Sequence, residues 1–450
     1  MEASPQPKPV LKLRHLIFYG VVVITPIAPV PIYGVAQELS HGHVIMTLLL
    51  AGVAMMLTAF SYGRMANLYP SAGSAYAYVS RGLNPHLGFV AGWTMILDYL
   101  VLPIVAIVQV ALALQRLLPG VPYLAWVVLL IVAITLLNLR GIRATARANN
   151  ALLACMAVVI GAFLILSVKY LISQSGLAGL ISTKPIYDPA TFDLHAVVTG
   201  TSFAALTYIG FDGLTTLAEE VENPKRNVPI ATVSVCLFTA LFSCLLVYLA
   251  QLVFPDYRLF PNIETAFMDV TRQVGGNILF QGMGIVIIIS SFGAALAGEV
   301  AASRVLMVMG RENVLPRDLF ARLSAKSQTP VVNIVLISVV ACVGSTLLSL
   351  ERAGELLNFG ALLGFMGVNL AAFRQCYWLE QPDRRRLLTD ACVPILGFGF
   401  SLAIWLNLPL PAKLTGSAWL LAGIAYYLVR ARYLRAAGFS SPRETVSRRV

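Results

Sequence analysis

Three prolines, Pro26, Pro29 and Pro31, interrupt the apolar run VVITPIAPVPIYG. Each removes a backbone donor and crowds the preceding turn, so the run is expected to unwind in its middle. If it lies in lipid, the freed amide and carbonyl groups need partners in protein or in a water-filled cavity. Ile24 to Val30 is therefore a candidate ligand-contacting segment, with Ile24, Thr25, Pro26, Ile27 and Ala28 as its candidate contacts. A second interruption uses glycine. In TYIGFDGLTTLAEEVENP, Gly210 and Gly213 bracket Phe211 and Asp212, with Tyr208 and Ile209 leading in. Glycine lets the chain leave helical geometry. A half-helix starting after such a break offers amide groups and a positive dipole end to an anion, while carbonyls before it suit a cation.

Three acids lie in apolar surroundings. Asp98, in WTMILDYLVLP, is expected to face a helix-bundle interior. There it holds an ammonium group, carries a proton, or makes a static hydrogen bond to a neighbouring helix. Glu299, in AALAGEVAASR, has small neighbours that admit a second helix closely. It reads equally as a functional carboxylate or as an ion pair with Arg304 or a loop cation. Asp212 reads as a ligand contact or a packing residue. A desolvated ammonium over a ring face gains about 0.5 to 2 kcal/mol. Tyr99, beside Asp98, and Tyr208 and Phe211, flanking the glycine break, are the candidate rings, whereas Trp93 reads as packing. Ser290 and Ser291 could add hydroxyl oxygens to a sodium site, so Asp98, Glu299, Ser290 and Ser291 are the ion-coupling candidates. Glu219, Glu220 and Glu222 with Lys225 and Arg226 read as an inner ion-pair network.

Positioning such residues requires helices in a membrane. Of 450 residues, 58% are hydrophobic and 12% charged, against roughly half and roughly a quarter in soluble proteins. With a mean hydropathy of +0.79, the chain is not an ordinary soluble enzyme. The net charge of +11 does not indicate nucleic acid, because Lys and Arg fall in short gaps between apolar runs. About twelve runs are long enough to span, near 16–38, 43–66, 88–118, 122–140, 149–172, 196–219, 230–254, 277–309, 330–349, 353–378, 389–408 and 417–434. They are continuous rather than alternating, which excludes a β-barrel. Alternate gaps and both ends hold 25 of the Lys and Arg residues and the other side holds 7, so both termini are expected in the cytoplasm. A multi-pass inner (plasma) membrane protein is expected. The six cysteines stand singly without metal-ligand spacing and read as small membrane-helix residues. The polar stretch to Arg14 has no cleavage pattern, so the first run is expected to be retained.

Runs one and six are thus both broken, the pattern of a secondary transporter with five-helix inverted repeats and a midplane site. The motifs agree. SYGRMANLYPSAGSAYAYVSRGLNPHLGFVAGW follows run two and NLRGIRATARANN ends run four. Run six leads into AEEVENPKRNVPIA, and run eight ends in ASRVLMVMGRENVLP. In order and spacing these closely resemble the amino acid-polyamine-organocation (APC) superfamily over roughly residues 15–430. TPIAP in run one, LDYLVLP from Leu97 to Pro103 and a polar residue five before Arg304 resemble its putrescine importer branch. The resemblance implies an all-α integral membrane protein of the LeuT-like APC fold. It would have a tail at 1–15, a ten-helix core at 16–378 (repeats about 16–172 and 196–378), two peripheral helices at 379–434 and a basic tail at 435–450. It also implies alternating access and ion-coupled uptake of a small amine-bearing solute.

Several members carry a lysine early in span five in place of a sodium ion. The matching position falls near Cys155 or Met156, and Lys169 lies too near the other end. The expected coupling ion is therefore the proton, with sodium left open. Putrescine or another polyamine is the expected substrate, with a permease for neutral or cationic amino acids as the alternative. No HExxH, GxSxG or His/Cys cluster supports a membrane enzyme, and no filter-like repeat supports a channel. No cofactor is expected.

Overall fold

The computed structural model describes residues 11–24, 27–69, 74–140, 146–311, 315–324, 329–381, 383 and 385–436. Thr25, Pro26, the motif positions 70–73, 141–145 and 312–314, and most of both tails lie outside the described residues. The described chain is helical. Its elements are α1 (Leu13–Ile24), α2 (Tyr33–Leu39), α3 (Val44–Leu68), α4 (Ser74–Gly82), α5 (Pro85–Leu117), α6 (Tyr123–Leu139), α7 (Ala146–Ser175) and α8 (Leu194–Ala204). There follow α9 (Pro224–Val253), α10 (Ala266–Arg311), α11 (Arg317–Phe320), α12 (Val331–Leu347), α13 (Leu350–Phe373), α14 (Val393–Leu406) and α15 (Leu410–Ala436). In place of a strand, the described residues hold one isolated bridge, Leu11 to Val221.

Eight of these helical stretches are long and apolar enough to cross a membrane. Two further apolar helices, α6 and α12, have 17 residues each, about 25 Å of helix. The remaining expected runs correspond to the divided pair α1 and α2 and to α15. Most run limits fall within a few residues of the helix ends, and one shift is instructive. Run seven begins at Pro224, not at 230, because Pro224 occupies the first turn, where its missing donor costs nothing. Pro229 then continues inside the helix, packed on Gly63.

α5 runs through the centre. Its most apolar stretch is 78% buried, against 28% for α7, which lies at the periphery. Asn84 starts it as N-cap, accepting from the Leu87 amide at 2.8 Å. α10 and α13 flank α5. α13 approaches closely because a Cβ at Gly360 would stand 2.5 Å from the Thr94 carbonyl oxygen and 3.2 Å from the Asp98 nitrogen. α10 is two helices joined at Gly276, whose φ of +63° and ψ of −158° suit glycine alone, so the run 277–311 stands apart from a shorter helix over 266–275. α15 docks on α5 through paired indoles: Trp93 donates to the Trp419 carbonyl at 2.9 Å and Trp419 to that of Trp93 at 3.1 Å. That is the packing role expected of Trp93.

Candidate functional site

Both expected breaks are present. α1 ends at Ile24. Residues 27–32 form turns, with the Val30 amide donating to Ile27 at 2.8 Å, before α2 resumes. Ile24 is helical, which corrects the expected limit, while Thr25 and Pro26 lie outside the described residues. Ile27 is buried and Ala28 half-buried. In run six, α8 ends at Ala204, a tighter turn covers Ala205–Tyr208, and Gly210 reverses to φ +113°. A 3-10 stretch over Phe211–Glu220 follows. α1 and the residue leading into it pack on the chain after the second break: a Cβ at Gly20 would meet Leu214, and the Glu222 amide donates to the Leu11 carbonyl at 2.9 Å. Glu222, Lys225 and Arg226 form no ion pair among the described residues, and the side chains of Glu219 and Glu220 lie outside them.

Asp98 and Asp212, from different runs, come within electrostatic range of each other. Each is 5% exposed. Tyr99, on α5, and Tyr62, on α3, sense both carboxylates. The Tyr62 ring packs edge-on against Tyr78 (5.9 Å), Phe211 (5.5 Å) and Phe365 (5.8 Å). Its buried hydroxyl has no hydrogen-bond partner among the described residues. Pro103 cannot donate to the Tyr99 carbonyl, which leaves that oxygen as an acceptor in the turn after Asp98. The amide groups of the Gly210–Gly213 turn face the Asp212 carboxylate. The described ion pairs are Arg64 to Asp390 and Arg116 to Asp269, and neither Asp98 nor Asp212 has one among the described residues.

The other candidates go elsewhere. Among the described residues Glu299 meets neither Arg304 nor the Asp98 cluster; it accepts from Asn138 of α6 at 2.5 Å and from the Ser338 hydroxyl of α12, with Thr135 2.8 Å from Ser338. Small residues around it admit those helices, as expected. Tyr208 donates its hydroxyl to the Leu48 carbonyl at 2.7 Å and lies in the core, while Ile209 is half-buried. Ser291 donates to Gln109 of α5 at 2.8 Å, and Ser290 is half-buried. Gln109 in turn lines a small cavity beside the first break with Val30, Pro31, Glu264 and Thr265. Met156 is buried and Lys169 exposed, in keeping with a snorkelling lysine. Sequence reasoning passed over Tyr62, Tyr78 and Phe365, which are ordinary aromatics until α3, α4 and α13 converge.

Two broken helices beside buried acids and rings, in a bundle of apolar helices, define a membrane transporter. The amino acid permease family model matches residues 16–406, and the chain belongs to that family, within the APC superfamily. It is a multi-pass plasma-membrane protein. It is 30% identical over 422 residues, 92% of each chain, to the low-affinity putrescine importer PlaP of Escherichia coli (strain K12). It is 31% identical over 359 residues to the vacuolar cationic amino acid transporter 4 of Arabidopsis thaliana, covering 74% of this chain and 57% of that one. To the branched-chain amino acid permease BcaP of Lactococcus lactis subsp. cremoris (strain MG1363) it is 25% identical over 445 residues, 93% of each chain.

Proposed function

We propose that this permease is a secondary active importer of a small amine-bearing solute, putrescine or another polyamine, working by alternating access and driven by the proton gradient. The observation that carries the reading is the pair Asp98 and Asp212, buried together without a protein cation among the described residues. An uncompensated charge there costs at least several kcal/mol. A proton or a cationic substrate supplies the compensation, and the rings of Tyr62, Tyr99 and Phe211 suit an ammonium. Burial of both acids means that a neighbouring element must move to admit substrate from either side. Twelve spans with cytoplasmic termini, ten of them forming a two-repeat core, give the frame for that motion.

A second reading, an amino acid permease, draws support from the names of two relatives. An amino acid carboxylate would use the amides of the second break. Asp212 already faces those amides, so an anionic group would compete with a fixed carboxylate. This favours a substrate that is cationic at both ends. Proton coupling fits Asp98 or Glu299 as carrier, Glu299 being held by the neutral groups of Asn138 and Ser338. Asp98→Asn and Glu299→Gln test both parts in proteoliposomes. The reading expects Asp98→Asn to abolish putrescine uptake with insertion intact. Unchanged affinity in both variants would leave the amino acid reading as the better one.

A further inference from the structure

Four carboxylates that the two breaks do not use gather at the end of the bundle where α2 finishes and α13 begins. Glu38 is exposed, Glu264 and Glu351 are half-buried, and Glu355 is 3% exposed. Glu351 senses Glu38 and Glu264, and Glu355 senses Glu351; Arg352 is the cation that acts on them. Glu264 also holds the start of α13, accepting from the Leu350 amide at 3.3 Å. Acids alone on a surface are a solvated patch. Here two buried oxygens point further: Glu355 Oε1 and Thr265 Oγ1 have no hydrogen-bond partner among the described residues. A buried carboxylate oxygen is costly to leave unmet. Thr265 and Glu264 line the small cavity that also touches Val30 and Pro31 in the first break, so this cluster borders that segment. The unequal distribution of Lys and Arg puts this end outside the cell.

We infer that Glu351, Glu355, Glu264 and Thr265 form an outer subsite for an alkylammonium group, which takes up a polyamine before it reaches Asp98. The inference rests on the polyamine reading of the midplane site. A dication in transit would exchange water for carboxylates in steps rather than all at once.

Equilibrium binding of labelled putrescine to the full-length protein in nanodiscs, at constant ionic strength, tests the subsite. Asp98→Asn should retain weaker putrescine binding, and adding Glu355→Gln to it should remove that remainder. In proteoliposomes, Glu355→Gln alone should raise the half-saturating putrescine concentration about tenfold with the maximal rate within about twofold, as lost uniform binding does. Glu351→Gln provides the same readout where Glu355→Gln fails to fold. No residual binding in Asp98→Asn, or a residue of binding indifferent to both glutamine variants, overturns the outer subsite and leaves the midplane reading standing. Selective displacement of the residual binding by sodium chloride, against choline chloride at equal strength, overturns it in favour of a sodium site. Absence of putrescine binding by the unmodified protein overturns both.

Discussion

The hydroxyl of Tyr62 is the most informative single group near the two acids, because no described protein atom uses it. Tyr62→Phe should leave the melting temperature in detergent within about 2 °C, since no protein hydrogen bond is lost. The same change should raise half-saturating putrescine about tenfold, the size of a hydrogen bond to a charged group. A lower melting temperature with unchanged uptake would make Tyr62 a packing residue. Glu299 is tested differently. With Glu299→Gln, uptake should no longer rise when an inward proton gradient is imposed, while exchange of putrescine across the membrane continues. Gradient-stimulated uptake at the original level would remove Glu299 from coupling. Asp98 was legible from sequence because one carboxylate in an apolar run stands out, and so was Glu299. Tyr99 and Phe211, each next to an acid in the chain, were legible too, but the rings brought by other helices were not. Tyr62, Tyr78 and Phe365 come from three helices, and nothing local marks them before those helices meet.

At the scale of elements, the breaks were legible because proline and glycine act through their own backbone. Gly210, at φ +113°, is the sharper case. Gly210→Ala should cost about 1 to 2 kcal/mol from left-handed strain and lower the melting temperature. An unchanged temperature would mean that the turn adapts freely. The docking of α13 and α14 was not legible, since it depends on partners far apart in the chain. Arg64, at the end of α3, pairs with Asp390 at 2.7 Å, and the aspartate is 1% exposed. Arg64→Ala leaves that carboxylate buried and unpaired. With Arg64 itself about a third exposed, the cost should be about 1 to 3 kcal/mol. Asp390→Asn should cost less than Arg64→Ala, because it leaves no bare charge in the interior. The reverse order would show that the pair contributes little.

For the whole molecule, the arrangement of charge predicts the orientation. In a background without cysteine, Ser447→Cys should label with an impermeant maleimide only after the membrane is opened, and Lys184→Cys in intact cells. The opposite pattern would invert the topology and place the outer subsite inside. The central claim is that two acids at mid-membrane select a dication. Uptake of labelled putrescine, arginine and alanine into proteoliposomes, under the same inward proton gradient, tests it most directly. The unmodified protein should accumulate putrescine and little alanine, and Asp98→Asn should lose putrescine accumulation. Accumulation of alanine or arginine without putrescine would contradict it.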